Sequence, residues 1–287
     1  MSPLNLGIYA HWRKPGAIES LLALDQVFRR ENIRVRLETE TAEAIGRTGE
    51  SLVDLKKGVD AFVVLGGDGT LLRLVRDLSP QFKPIMGINF GSLGFLTCFG
   101  GPDFSAAAKA LATGEYRVDE RTMLEATIER NGTVSYRAMG LNDVVASRGE
   151  RSRLVQLDVT IDSTYLTQYN ADGLIIATAT GSTAYSLSAG GPIVTPDAGV
   201  FVVSPICPHV LTNRSVVVSN RSVIHIQPAR SDQPVSLSID GQEPVQFFAP
   251  DTLTVRAAGV TLPLILPKNL SFADILRLKL SWSGTAI

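Results

Sequence analysis

The sequence is poor in cysteine and has no long apolar run. Its 287 residues include two cysteines, Cys98 and Cys207, with no paired spacing. This excludes a disulfide scaffold and a cysteine-based zinc site, and it is typical of a reducing cytosol. No stretch approaches the ~18 apolar residues of a membrane-spanning helix. Residues 1–10 also lack the basic region and long apolar core of a signal peptide, so we expect a cytoplasmic protein.

Charge of either sign is not in excess either. The chain carries 27 Lys and Arg against 28 Asp and Glu, a formal net charge of −1. Without a basic excess or a basic block, neither a nucleic acid nor a membrane surface is an expected partner. The G-x-x-x-x-G-K-[ST] loop is absent as well, so the chain is not a P-loop enzyme. We expect small-molecule partners.

Strand and helix patterns alternate over residues 1–114. The predicted strands are residues 4–10, 33–37, 61–65 and 84–89, and the predicted helices are residues 15–30, 71–78 and 103–112. Residues 42–55 show a weaker pattern, that of a broken helix. This alternation is typical of an α/β domain with a Rossmann-like, mostly parallel sheet and helices on both faces.

The pattern changes at residue 115 to an alternation of apolar and polar positions. The predicted strands are residues 124–130, 133–138, 154–161, 163–169, 174–178, 215–218, 222–227, 235–239 and 251–255, and Asn131-Gly132 predicts a hairpin turn. Helical spacing is nearly absent apart from residues 184–189. Residues 115–267 are therefore predicted to be a second domain of mainly antiparallel strands. Residues 271–280 are helical again, with Ser271 as cap, and we expect this tail (268–287) to return to the first domain.

The most informative stretch is Gly66-Gly67-Asp68-Gly69-Thr70, between a buried strand pattern and a helical one. Glycines allow a sharp turn and leave backbone amides uncovered. A strand, a glycine loop and a helix N-terminus, which we expect near Thr70, together form an anion site, most simply for phosphate.

Asp68 is unusual in such a loop, because a carboxylate repels phosphate. It is tolerable if a metal ion lies between the two groups or if the carboxylate handles a proton. The loop therefore indicates phosphoryl transfer onto a hydroxyl, with Asp68 as base or metal anchor. The alternative is that Asp68 only caps the following helix.

A second motif, residues 180–192, is dense in Ser, Thr and Gly. Buried hydroxyls are costly unless each finds a partner, so this cluster can hydrogen-bond a polar ligand such as a ribose or a base edge. Tyr185 adds a flat face for stacking on an aromatic base. The alternative is a Ser- and Thr-rich turn followed by a short capped helix.

Three shorter signals are weaker. Asn142, before Asp143, can read an adenine edge, although a simple Asn-Asp turn is the favoured interpretation. Asp240-Gly241 predicts a hairpin turn. His209 lies in a rigid Pro-containing segment and is more often structural than functional in such a place.

Taken together, these motifs resemble the NAD kinase family. The resemblance is carried by residues 66–70, 141–144, 172–173 with 180–192, and 205–209, which span most of the chain in the family's order. Gly-Gly-Asp-Gly-Thr is shared with diacylglycerol kinases, sphingosine kinases and phosphofructokinases. Gly-Ser-Thr-Ala-Tyr-Ser-Leu-Ser-Ala-Gly-Gly-Pro is much more specific.

The resemblance implies that the second domain is all-β and sandwich-like. It also implies transfer of the γ-phosphate of ATP to the adenosine 2′-hydroxyl of NAD, which gives NADP, with NAD in the cleft between the domains. Asp68 would be the base toward that hydroxyl. ATP with Mg²⁺ would approach the phosphate loop, which consists of Gly66, Gly67, Gly69 and Thr70. The implied NAD-binding residues are Asp68, Gly69, Phe90, Asn142, Asp143, Asp172, Thr183, Ala184, Tyr185 and Ser188. No protein ligand of the metal is assigned, and homodimers or homotetramers are usual in the family.

Two departures from family patterns bear on this interpretation. The family's usual Asn-Glu pair is Asn-Asp here, so the side chain of Asp143 reaches less far. Diacylglycerol-type lipid kinases, the main alternative, carry Asp-Gly-Glu with the Glu as base, where this chain has Gln242. An amide takes no proton at neutral pH, which leaves Asp68 as the base and favours NAD kinase. The other alternative, a non-catalytic NAD(P) sensor, is disfavoured by the intact Asp68.

Overall fold

The computed structural model describes residues 3–91, 93–100, 104–150, 153–230 and 232–282. They form two compact units, Met1–Glu120 with Leu262–Ile287, and Arg121–Thr261. Residue 115, where the sequence pattern changes, directly precedes a long strand that begins at Tyr116. Ser92 of the segment after the fourth strand, Asp103 at the start of a predicted helix, and the last residues of the predicted tail lie outside the described residues.

The first unit alternates strands and helices, as the sequence predicts. Its elements are β1 (Asn5–Ala10), α1 (Ala17–Arg30), β2 (Arg34–Leu37), α2 (Thr39–Glu43), α3 (Leu52–Gly58), β3 (Ala61–Leu65), α4 (Asp68–Leu78), β4 (Ile85–Asn89), β5 (Phe99–Gly100) and α5 (Ser105–Thr113). The weak pattern at residues 42–55 yields two short helices. Gly46 lies between them at φ 67°, a conformation that ends a helix.

The sheet of the first unit is parallel, in the order β2-β1-β3-β4. The chain leaves β1 toward β2 on one side and leaves β3 toward β4 on the other. The strand order therefore reverses between β1 and β3, and ligands of open α/β sheets bind at the carboxyl ends of the strands at such a point.

Helices cover this sheet through periodic apolar stripes. Alternate strand residues such as Leu6 and Ile8 of β1 face one core, because side chains alternate along a strand. Leu21, Leu24 and Phe28 of α1 pack into the same core at helical spacing and are fully buried. The helix α4 packs against β3 and α3 through its own apolar stripe.

The second unit consists of antiparallel strands. Its elements are β6 (Tyr116–Arg130), β7 (Thr133–Gly140), β8 (Asp143–Ser147), β9 (Val155–Ile161), β10 (Thr164–Ala171), β11 (Gly173–Thr178), a 3₁₀ helix (Thr180–Thr183), α6 (Tyr185–Ser188), β12 (Val200–Ile206), β13 (Val216–Ser219), β14 (Ile224–Pro228), β15 (Val235–Ile239), β16 (Val245–Phe247) and β17 (Thr252–Pro267). The beginning of β6, up to Glu120, and the end of β17, from Leu262, belong to the first unit.

Two sheets of this unit enclose one apolar core. One sheet has the order β13-β12-β11-β8-β15-β16, and the other contains β10, β9, β14 and β17 with the β6–β7 hairpin. Residues of both sheets, such as Ile176 and Ile226, share the core. The predicted turn at Asn131-Gly132 is confirmed, with φ 51° and 75° at its two residues.

Two central strands were missing from the sequence prediction. Strands β8 and β12 are buried along nearly their whole length. A strand that is covered on both faces reads as a continuous apolar run without alternation, which hides its period. The predicted helix at residues 184–189 is also shorter, since a 3₁₀ turn precedes the four residues of α6.

The last helix, α7 (Phe272–Lys279), belongs to the first unit, as predicted. Ser271 is its N-cap, and its side chain forms a capping box with Asp274. Arg117 Nη2 donates to the Leu270 carbonyl at 3.0 Å, and the Lys279 ammonium lies 5.9 Å from the Phe95 ring centre. No described helix is long and apolar enough to cross a membrane.

Candidate functional site

The glycine loop joins a fully buried strand to a helix that begins earlier than expected. β3 ends at Leu65, and α4 begins at Asp68 rather than near Thr70, with Gly67 as N-cap. The first amides of a helix have no carbonyl partner within it. Within the described part of the chain, the amides of Gly67, Asp68 and Gly69 donate to no protein group. The loop therefore offers free N–H groups to an anion.

The carboxylate of Asp68 does not cap this helix. Its Oδ2 accepts the amide of Phe95 at 2.9 Å. Its Oδ1 accepts the amides of Leu96 and Thr97 at 3.2 and 3.1 Å, and the Thr97 hydroxyl at 2.9 Å. The capping interpretation is therefore wrong. Asp68 instead binds the loop that follows β4, and its rotamer is fixed by four donors.

Gly94 and Asn89 complete this arrangement in the first unit. A β-carbon on Gly94 would lie 2.0 Å from Asp68 Oδ1 and 2.2 Å from Thr97 Oγ1, so a side chain there cannot coexist with these contacts. Asn89, at the end of β4, donates to Thr97 Oγ1 at 3.2 Å. The strand end, the glycine and the hydroxyl together hold the carboxylate beside the glycine loop.

A cavity of about 630 Å³ opens beside the same loop, where the strand order reverses between β1 and β3. Its lining includes the loop residues Gly67, Gly69 and Thr70, the cations Arg13, Lys14 and Arg73, and the acids Glu38, Glu40 and Asp77. Within the described residues, Lys14 and Arg73 have no ion-pair partner, whereas Asp77 pairs with Arg76 at 3.1 Å. The cavity therefore carries charges of both signs, with two unpaired cations on the lining that it shares with the glycine loop.

Four side chains of β1 and the following turn also line this cavity. The Nδ1 atom of His11 is buried with no hydrogen-bond partner among the described residues. The guanidinium of Arg13 stacks over Trp12, 4.8 Å from the ring centre. Burial raises the pKa of Tyr9 to about 12, so its phenol stays protonated at neutral pH. These side chains add three aromatic rings and one cation to the lining of the cavity.

In the second unit, Asn142 and Asp143 lie where β7 passes into β8. The carboxylate of Asp240 accepts three successive amides there, those of Leu141, Asn142 and Asp143, at 2.7, 2.8 and 3.0 Å. Asp240 is itself at φ 49° in the turn after β15. The predicted hairpin turn is confirmed, since Gln242 N donates to Ile239 O at 3.0 Å.

The carbonyl side of the same segment is held by Thr178. Its hydroxyl donates to Leu141 O at 2.6 Å, and its amide donates to Asn142 O at 2.8 Å. A β-carbon on Gly181 would lie 2.0 Å from that Asn142 oxygen, so only glycine fits. The motif after β11 thus packs directly on the Asn142 segment.

The Asp143 side chain links the segment to Tyr185. Asp143 is 5% exposed, and its carboxylate accepts the Tyr185 amide. Burial, followed by the neighbouring Asp240 carboxylate, raises the pKa of Asp143 to about 7. Burial also raises the pKa of Asp240, against the opposing effect of its three amides. Two carboxyl groups in one buried place disfavour double ionisation.

The hydroxyl cluster divides into internal and outward members. Ser182 Oγ donates to Ala179 O at 2.7 Å and accepts Val194 N at 3.0 Å, while the hydroxyls of Ser186 and Ser204 lie 3.0 Å apart. These three hydroxyls support the fold and are not available to a ligand. The sequence left two interpretations of this cluster open, a ligand-binding surface and a Ser- and Thr-rich turn before a short helix. For Ser182 and Ser186 the structure favours the second, because their hydroxyls bond within a 3₁₀ turn and the short α6 that follows it.

The remaining predicted residues of the motif are at least partly exposed, although the Thr183 hydroxyl donates to Thr180 O at 3.2 Å. Tyr185 is 46% exposed, Ser188 is exposed, and Thr183 and Ala184 are half-buried. Asp172, before β11, pairs with Arg148 at 2.6 Å. These side chains and Asn142 belong to the second unit, whereas Asp68, Gly69 and Phe90 belong to the first.

Some residues of the site were not found from the sequence. Arg13, Lys14, Thr97 and Asp240 lie next to the predicted residues but outside the motifs assigned to the site, and Arg73 lies one helical turn after the glycine loop. Single cations and an aspartate in a turn carry no pattern of their own. The Lys-Pro-Gly turn directly after β1 is the nearest signal, because ligands collect at the carboxyl ends of parallel strands.

Models of protein families match the chain over both units. Residues 18–116 match the ATP-NAD kinase N-terminal domain, and residues 141–266 match the ATP-NAD kinase C-terminal domain. An NAD kinase of Syntrophotalea carbinolica is 40% identical over 282 residues, which are 97% of this chain and 98% of the relative. An NAD kinase of Symbiobacterium thermophilum is 43% identical over 262 residues, 88% and 93% of the two chains.

Solved structures agree with these matches. A yeast NADH kinase complexed with NADH has a TM-score of 0.87 at 27% identity, over 100% of this chain and 90% of that one. An NAD kinase of Archaeoglobus fulgidus in complex with ATP has a TM-score of 0.75 at 24% identity, over 95% and 97% of the chains, and shows the common fold.

Proposed function

Because the chain belongs to the NAD kinase family, we propose that it transfers the γ-phosphate of ATP to the adenosine 2′-hydroxyl of NAD. The enzyme is an ATP-dependent kinase that acts on NAD. The finer proposal concerns which hydroxyl reacts and which residues act on it. The observation that carries it is the carboxylate of Asp68, fixed beside a glycine loop and a cavity lined by the unpaired cations Lys14 and Arg73.

Asp68 is proposed to accept the hydroxyl proton through Oδ2. Each carboxylate oxygen offers two lone pairs. Oδ1 accepts three donors, whereas Oδ2 accepts only Phe95 N within the described residues. One acceptor position of Oδ2 is therefore left for a substrate hydroxyl. A carboxylate is a weak base, so it orients the hydroxyl first and takes the proton as the P–O bond forms.

The donor phosphates are proposed to lie at the glycine loop, with Lys14, Arg13 and Arg73 as their cationic partners. Lys14 Nζ would lie 3.9 Å from a β-carbon on Gly67, so it reaches the loop. The free amides of the loop and these cations neutralise the phosphate charge that develops during transfer.

The proposed Mg²⁺ would be carried largely by the donor. Among the described residues, no three His, Cys, Asp or Glu side chains gather into a metal-binding group. Mg²⁺ commonly binds substrate phosphates with few protein carboxylates, so this set of residues fits an ion that arrives with ATP. When bound, it would neutralise phosphate oxygens.

The dinucleotide is proposed to bind through residues of both units. These are Asp68, Gly69 and Phe90 in the first, and Asn142, Asp143, Asp172, Thr183, Ala184, Tyr185 and Ser188 in the second. Tyr185 exposes its ring for stacking on adenine, and the Asn142 carboxamide has no protein partner among the described residues. A homodimer or homotetramer in the cytoplasm is part of the same proposal.

The test is an activity assay with NAD, ATP and Mg²⁺, in which an NADP-specific dehydrogenase detects the product. We expect steady NADP formation by the wild type and loss of most of it in Asp68→Asn. Asp54→Asn is the matched control, since Asp54 is an exposed carboxylate on α3 of the same unit. Near-normal turnover in a folded Asp68→Asn variant would contradict the assignment of Asp68 as the base. A wild type that binds no NAD in calorimetry would contradict the function itself.

A further inference from the structure

Asp240 does more than its turn requires. The turn is closed by the bond from Gln242 N to Ile239 O, and left-handed backbone at Asp240 and Gly241 makes it a type I′ turn. None of this needs a carboxylate. Yet Asp240 is half-buried, and its carboxylate accepts three amides of a segment 97 to 99 residues earlier in the chain.

The backbone of that segment is fully accounted for. The Asp240 carboxylate accepts its three amides, and Thr178 donates to the carbonyls of Leu141 and Asn142 through its hydroxyl and its amide. The Asp240 amide donates to the third carbonyl, Asp143 O, at 3.0 Å. A segment whose every backbone polar group is bonded has one conformation. Bonds from amides to an ionised carboxylate are also shorter and stronger than neutral ones.

What this conformation presents is the pair Asn142 and Asp143. The Asn142 side chain is half-buried and makes no internal hydrogen bond among the described residues. The Asp143 carboxylate reaches the Tyr185 amide. The rigid backbone therefore aims one unpaired carboxamide outward and ties its neighbour to the aromatic residue of the second motif.

We propose that Asp240 is a positioning residue of the dinucleotide site, which holds Asn142 and Asp143 in their binding geometry by fixing the backbone amides of residues 141–143. The inference rests on the proposed function, because it needs Asn142 and Asp143 to meet NAD. Asp240 touches no substrate in this scheme. It acts on binding of NAD and not on the phosphate donor.

The test compares Asp240→Asn and Asp240→Ala with the wild type, by KM for NAD, KM for ATP, kcat, and NAD binding in calorimetry. Asn keeps one oxygen but faces the Leu141 amide with an NH₂ group, whereas Ala removes every acceptor. We expect KM and Kd for NAD to rise about tenfold in Asp240→Asn and further in Asp240→Ala. KM for ATP should stay within about twofold.

The matched control is Asp162→Asn. Asp162 is also an aspartate in a left-handed turn of this unit, at φ 48°, and its carboxylate accepts one amide, that of Val223, at 2.9 Å. The Asp162→Asn substitution should lower the thermal stability of the protein without changing KM for NAD. If Asp240→Ala does not fold, Gly181→Ala replaces it, since that β-carbon presses on Asn142 O from the opposite side.

The outcomes separate the two proposals. A fall in melting temperature with unchanged KM and Kd for NAD would show that Asp240 is structural only, and so would an equal rise of KM for both substrates. A wild type that forms no NADP and binds no NAD overturns the proposed function before any variant is compared. NADP formation by the wild type, with a selective NAD defect in both Asp240 variants, supports the positioning role.

Discussion

Gly94 and Asp68 approach so closely that a β-carbon on Gly94 would lie 2.0 Å from Asp68 Oδ1. The two residues are 26 positions apart in the sequence and meet because the segment after β4 folds back on the start of α4. The hydrogen bonds from the amides of residues 95–97 depend on this approach. Gly94 is therefore part of the machinery that orients the proposed base.

The first prediction concerns Gly94→Ala. The added methyl group must displace Asp68 or Thr97, so we expect kcat to fall by roughly tenfold or more. Overpacking of this kind also costs about 1–3 kcal/mol in the free energy of unfolding. Steady-state kinetics and urea denaturation measure the two effects. Gly91→Ala is the comparison, because a β-carbon there meets nothing within 4 Å. Equal kinetics for both variants would contradict the orienting role of Gly94.

The second prediction concerns two cations that line the cavity beside the glycine loop. Lys14→Ala and Arg73→Ala each remove a cation beside the glycine loop, so KM for ATP should rise about tenfold, with KM for NAD little changed. Lys57→Ala serves as control, because Lys57 is 73% exposed on α3 and pairs with Asp54. A rise of KM for NAD with an unchanged KM for ATP would contradict the proposal that this cavity binds the phosphates of ATP.

The third prediction follows from the pKa of Asp143, which burial and Asp240 raise to about 7. Between about pH 4 and pH 7 the folded state therefore keeps the Asp143 proton, whereas the unfolded state has lost it. In this window the free energy of unfolding falls as pH rises, by up to about 4 kcal/mol for a shift of this size. The Asp143→Asn variant lacks this titrating carboxyl group. Urea denaturation at pH 5 and pH 8 should show less loss of stability with pH in Asp143→Asn than in the wild type, and parallel losses would contradict it.

The fourth prediction uses Gly181. Its β-carbon in Gly181→Ala would press on the backbone oxygen of Asn142, which cannot move without breaking the bond to Thr178 N. We expect a loss of about 1–3 kcal/mol in the free energy of unfolding. Gly190→Ala, where a β-carbon meets nothing within 4 Å but φ is +85°, measures the cost of backbone strain alone. A smaller loss at Gly181 than at Gly190 would contradict the tight packing.

Local patterns were sufficient to predict much of the fold. The apolar run at β3, the helical stripe of α1 and the Asn131-Gly132 turn each depend on residues within one element. Strands β8 and β12 escaped prediction because both of their faces are buried, which removes the period that marks a strand.

The site was predicted less completely, because its contacts join distant residues. Asp68 stood out chemically in its loop, but nothing nearby indicated that its carboxylate binds the amides of residues 95–97. Asp240 appeared as an ordinary turn residue, since its partners lie almost a hundred positions away. Spacing along a chain reveals motifs, whereas such long-range hydrogen bonds depend on the completed fold.

The parallel pairing of Leu264 and Ile265 with Ile85 and Met86 has a consequence for synthesis on the ribosome. At about 5–20 residues per second, the edge of β4 waits roughly ten to forty seconds for its final partner. During that interval an unpaired apolar strand edge is exposed to other nascent chains. A chain that terminates before Leu264 lacks this partner. The half of the enzyme that carries Asp68 therefore receives its last strand only after the whole second unit has been synthesised.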